Sequence, residues 1–118
     1  MSERAQFNSL SDEYQSLQTE LSTLISARQK LESQQQENKG VQREFSGLAD
    51  DATIYKLVGP VLLKQDTTEA KSTVDGRLSY IEQEIKRIET SIKGIQEKSE
   101  GKKMEILHIQ SQMQQTQS

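Results

Sequence analysis

His108 is the only histidine in the chain and cysteine is absent, so imidazole and thiolate chemistry rest on a single side chain. A metal centre would need a cluster of further ligands around that ring, so His108 reads as a solvent-facing residue beside the apolar Leu107 and Ile109. Paired carboxylates are the next candidates. Glu82 with Glu84, and Asp50 with Asp51, are the types that share general acid and base work, but no concave apolar surrounding is evident that would shift either pKa. Gly59 followed by Pro60 lacks the glycine spacing and the Lys-Ser/Thr pair of a phosphate loop. Lys102 and Lys103 could meet an acidic partner, yet on a glutamate-bearing helix two lysines read as solvated. No enzyme, cofactor or metal site is expected.

Without a catalytic constellation, the elements themselves carry the information. The chain has 118 residues, 31% hydrophobic and 4% aromatic, with no Trp; its mean hydropathy is -0.81. Such a composition suits a disordered segment, a coiled coil or part of a larger assembly better than a compact globule. A net charge of -3, with 15 basic and 18 acidic residues intermixed, offers no basic stripe for nucleic acid or anionic membrane. No apolar run reaches spanning length and the first residues lack a signal-peptide core, so a cytosolic address is expected, with no membrane and no nucleic acid among the partners.

The few apolar residues are regularly placed, which argues for coiled coil over disorder. Phe7, Leu10, Tyr14, Leu17, Leu21, Leu24 and Leu31 recur at steps of three and four or their multiples. The same register puts Arg28, Gln35, Asn38 and Gln42 at core positions before Phe45, where polar seam residues lower stability but fix register. Ser46, Gly47 and Leu48 then read as a helix stop, with Gly47 in the left-handed cap conformation. Beyond the midpoint, Asp66, Thr67, Thr68 and Glu69 form a plausible helix start. A second seam follows: Val74, Leu78, Ile81, Ile85, Ile88, Ile92 and Ile95, then polar Ser99 and Lys102, then Ile106, Ile109 and Met113. Gly76, Gly94 and Gly101 fall off it, and the Gln-rich end from residue 110 onward is expected to fray.

Between the two heptad segments lies the only stretch of different character, Thr53 through Asp66. Two short runs rich in β-branched and leucine residues flank Gly59 and the sole proline, Pro60, a pair suited to reversing the chain. The expected fold is mainly α: a long antiparallel two-helix coiled coil, helices about 3–47 and 67–114, joined by a central β-hairpin at about 52–65. Alternation puts Ile54 and Val58 on one side and Tyr55 and Leu57 on the other, with Val61, Leu62 and Leu63 continuous, so both faces are apolar. An isolated hairpin of this kind is marginal in water, and strands from other chains are its natural cover. These seven residues are the candidate assembly surface.

The run Ala27, Arg28, Gln29, Lys30, Leu31, Glu32, with Glu37 and Asn38, then Ile54 to Pro60 with Leu62, Leu63 and Lys64, then Glu69, Ala70, Lys71, Arg77 and Leu78, resembles a β-type prefoldin subunit. The resemblance covers nearly the whole chain, and the single hairpin is its most specific part. It implies a hexamer of two α-type and four β-type subunits whose hairpins assemble into an intersubunit β-barrel carrying six coiled coils. It further implies an ATP-independent co-chaperone that captures unfolded actin, tubulin and similar clients and hands them to the group II cytosolic chaperonin.

Antiparallel helices would bring Phe7 and Leu10 beside Ile106, Ile109 and Met113 at the end away from the barrel. The polar interruption at Ser99 and Lys102 would let that end splay. These five residues, with Leu107 off the seam and expected to be exposed, form the candidate client-binding tip. Completion of the coiled coil is the competing role for Ile106, Ile109 and Met113. Two other functions remain: a structural coiled-coil spacer or tether, which would need only a short polar loop between its helices, and an RNA-binding helical arm of the kind appended to some synthetases, which the charge disfavours.

Overall fold

A computed structural model describes residues 2–47, 53–58 and 61–117, with side chains placed at 2–47 and 68–116. Helix α1 spans Glu3–Ser46, strands β1 and β2 span Thr53–Val58 and Val61–Asp66, and helix α2 spans Thr67–Gln117. The chain divides into two units, one of Met1–Arg28 with Arg87–Ser118, the other of Gln29–Lys86.

The start of α1 is fixed by a cap absent from the sequence reading. Ser2 Oγ accepts a hydrogen bond from the Ala5 amide at 3.1 Å, and the Ser2 carbonyl accepts from the Gln6 amide at 2.9 Å. This satisfies one of the first-turn amides that otherwise lack a partner, and Glu3 complements the positive helix end. The other end differs from expectation. Gly47 keeps φ outside the left-handed region; its amide donates to the Glu44 carbonyl at 3.2 Å, while the Ser46 hydroxyl donates to the Arg43 carbonyl at 2.7 Å. A tightened last turn and a hydroxyl satisfy these carbonyls, so the glycine has no need of a left-handed cap. Leu48 and the carboxylate pair Asp50 and Asp51 lie outside the described residues.

In the unit Gln29–Lys86, β1 pairs with β2 antiparallel, in a register that runs from Thr53 opposite Asp66 to Val58 opposite Val61. The conformation of Gly59 and Pro60 lies outside the described residues. From α2, Ala70, Val74 and Ile81 are buried, with Leu78 and Ile85 half-buried. From α1, Gln35, Asn38 and Phe45 are half-buried, but Gln42 is exposed. The assignment of Gln42 to the core is therefore corrected. Its Nε2 donates to Asp75 Oδ1 on α2 at 2.9 Å along the surface, a contact that keeps both polar groups hydrated. Asn38 turns its Nδ2 back onto the Gln34 carbonyl at 2.8 Å, which lets a polar seam residue stay half-buried with its donor satisfied.

In the unit of Met1–Arg28 with Arg87–Ser118, the two helices also run antiparallel. Gln18 meets Ser99, and the earlier Glu13 meets the later Lys102. Ile88, Ile92 and Ile95 are buried here, whereas α1 contributes no buried residue along its length. Residue type alone does not set this asymmetry, since Ile25 on α1 and Ile106 and Ile109 on α2 are only half-buried. Helix α2 continues to Gln117, past the expected end near 114. Glutamine is a good helix former, and Thr116 donates its hydroxyl to the Gln112 carbonyl at 2.9 Å.

Candidate functional site

The ends of both helices meet in the unit of Met1–Arg28 with Arg87–Ser118. Glu3 and Arg4 line one small cavity of about 200 Å³ together with Met113 and Thr116. Phe7, Leu10, Ile106, Ile109 and Met113 are all half-buried here, so the helix pair covers one side of each and leaves the other in solvent. Leu107 is 50% exposed. Sequence reasoning missed Met104, which is 58% exposed and stands three residues before Leu107. Helical spacing alone could have found it, since residues three apart share a face.

A groove of about 620 Å³ runs between the helices, with Gln6, Leu10 and Glu13 from α1 facing Met104, Glu105, His108 and Ile109 from α2. A second groove of about 590 Å³ continues from it, with Ser16 and Leu17 facing Lys98 and Gly101, and Glu13, Lys102 and Glu105 common to both. The linings mix apolar Leu10, Leu17, Met104 and Ile109 with charged Glu13, Lys98, Lys102 and Glu105. His108 is exposed and its Nε2 lies 3.1 Å from Gln112 Nε2. Glu105 is one turn away, but no group of three metal-ligating side chains assembles among the described residues.

The polar interruption of the seam is partnered. Gln18 Nε2 donates to Ser99 Oγ at 3.1 Å, and Ser99 is only 6% exposed. Lys102 Nζ donates to Glu13 Oε2 at 2.9 Å, so its reading as a merely solvated lysine is corrected. The bond to Glu13, and then the nearby charges of Glu105 and Glu13, hold the Lys102 ammonium above its ordinary pKa against a smaller opposing effect of desolvation. Glu82 is occupied elsewhere, 3.4 Å from Lys86 on the exposed face of α2.

The assembly candidates all fall within the paired strands: Ile54, Tyr55, Leu57 and Val58 on β1, and Val61, Leu62 and Leu63 on β2. Their register places Leu57 opposite Leu62 and Val58 opposite Val61. Their side chains lie outside the described residues. Among the described residues no helix is long and apolar enough to cross a membrane.

The sequence matches the family model described as Prefoldin subunit over residues 8–116. The chain belongs to the prefoldin subunit family. It is similar to Prefoldin subunit 6 of Saccharomyces cerevisiae, at 48% identity over 100 residues that cover 85% of this chain and 88% of the yeast protein. Prefoldin subunit 6 of Homo sapiens is 41% identical over 107 residues, covering 91% of this chain and 83% of the human one. Among solved structures, the prefoldin beta subunit from Thermococcus strain KS-1 superposes with a TM-score of 0.79 at 25% identity, covering 86% of this chain and 89% of that one. The resemblance to β-type prefoldin subunits therefore holds at the level of sequence and of fold. A prefoldin subunit works as part of a chaperone complex, in assembly with other prefoldin subunits.

Proposed function

We propose that this chain is a β-type subunit of a hexameric, ATP-independent prefoldin co-chaperone in the cytoplasm. Its paired strands join those of neighbouring subunits in an intersubunit β-barrel, and its helix ends hold unfolded clients of the actin and tubulin type for delivery to the group II chaperonin. The observation that carries this reading is the family match over residues 8–116, which takes in most of both helices and all of both strands. Two features of the chain support it. A two-stranded sheet whose strands read as apolar on both faces needs strands from elsewhere to complete it. The apolar side chains that line the 620 Å³ groove are the exposed Met104 and the half-buried Leu10 and Ile109, flexible and aliphatic groups that repack against clients of no fixed shape.

The test removes residues 1–10 together with 106–118 and leaves the strands intact. The truncated subunit is expected to enter the complex, seen by size exclusion, while suppression of denatured actin aggregation falls at limiting complex. Unchanged suppression would show that these helix ends do not hold clients.

A further inference from the structure

Burial along α2 stops abruptly. Ile88, Ile92, Ile95 and Ser99 are buried in succession, and beyond Ser99 no described residue is buried. The later seam residues of α2, Ile106, Ile109 and Met113, are only half-buried. Low burial of this kind marks the low-stability end of a cooperative element. At the boundary stand the two polar cross-helix bonds, Gln18 to Ser99 and Lys102 to Glu13. They occupy two successive seam positions where the pattern of α2 calls for apolar side chains. An apolar pair there would extend the zipper and close the end of the unit permanently. A partnered polar pair closes it reversibly, because each group can exchange its partner for water when the helices part.

We propose that Gln18–Ser99 and Glu13–Lys102 form a clasp that sets how often the helix ends separate, and hence how much of the Phe7, Leu10, Ile106, Ile109 and Met113 surface an unfolded chain can reach. This rests on the client-binding reading of the same end and adds its regulation. The two bonds differ in kind. Ser99 Oγ sits inside the seam, so loss of Gln18 leaves a buried hydroxyl without its partner. The Lys102 and Glu13 side chains are 32% and 51% exposed, so salt screens that bond. Gly101 stands between the two α2 members of the clasp, with open space where a side chain would be. Both adjoining grooves share Glu13 and Lys102, so parting of that bond joins the linings that hold Leu10, Leu17 and Ile109.

The test uses two variants of opposite sign in the assembled complex. Gln18→Ala with Glu13→Ala removes both bonds by changes on the helix that has no buried residue. Ser99→Leu with Gln18→Ala replaces the polar position by an apolar one and makes room for it. Hydrogen exchange read by mass spectrometry over residues 3–17 and 100–117 is expected to accelerate about tenfold in the first and to slow by at least as much in the second. Capture of guanidine-denatured actin is expected to rise in the first and to fall severalfold in the second. Exchange unchanged in both variants overturns the clasp. Exchange that shifts as expected while capture stays constant, in a complex whose truncation does lower capture, overturns its control of client access and leaves the client-binding reading standing. If truncation leaves capture unchanged, both readings fall.

Discussion

Ile92→Ala is the sharpest probe of where the stability of this chain resides. Ile92 is 5% exposed in the middle of the buried run of α2. The change removes three carbons, worth about 0.8 kcal/mol each in transfer free energy, or about 2.4 kcal/mol together. A cavity term adds to this in closed cores and brings buried Ile→Ala changes to about 2–5 kcal/mol. In a two-helix pair with no buried residue on α1, the space can partly collapse or admit solvent. The expected loss is therefore about 2–3 kcal/mol, at the low end of that range. Leu107→Ala is the internal control, since Leu107 is 50% exposed and surface changes typically fall within about 0.5 kcal/mol. The assay is hydrogen exchange in the assembled complex across residues 84–100. Ile92→Ala is expected to speed exchange there by roughly 30- to 150-fold, and Leu107→Ala by no more than about twofold. A loss for Ile92→Ala no larger than for Leu107→Ala would refute the view that the α2 seam holds the pair together.

Val58→Asp or Leu62→Asp is expected to abolish co-purification with the other subunits, because a carboxylate desolvated at a strand interface costs several kcal/mol; full recovery of the complex would remove these residues from the assembly surface. Gly76→Ala and Gly94→Ala meet open space and are expected to stabilise α2 by about 1 kcal/mol each, read as slower exchange along the helix, with faster exchange counting against the open space. The raised pKa of Lys102 means that its bond to Glu13 contributes fully below the ordinary lysine pKa of 10.5 and is lost as pH rises through the raised value. Nuclear magnetic resonance of the Lys102 side chain is expected to show a midpoint above the ordinary 10.5, and a midpoint at or below that value would remove the bond.

The heptad of α2, the change of character at Thr53 and the placing of Gly76, Gly94 and Gly101 off the seam were all legible in the sequence. Each is a local property: the phase of a helix follows from the spacing of its own apolar residues. The cap at Ser2 was equally local and could have been read from the hydroxyl preceding Glu3. Gly47 was misjudged because glycine permits the left-handed cap without requiring it, and neighbouring groups had already satisfied the carbonyls that such a cap serves. Gln42 was misjudged because its register position is central, while a polar side chain near a helix end gains more from reaching Asp75 at the surface than from desolvation.

The seam of one helix says nothing about its offset against the other. That offset depends on where the chain reverses and on how the side chains interlock, so only the tertiary structure could pair Gln18 with Ser99 and Glu13 with Lys102. It also decided the unequal burial of the two helices. Both carry apolar stripes of similar spacing in the sequence, but burial depends on what the partner presents across the seam, and Ile81, Ile88, Ile92 and Ile95 of α2 are covered where the leucines of α1 remain half-open.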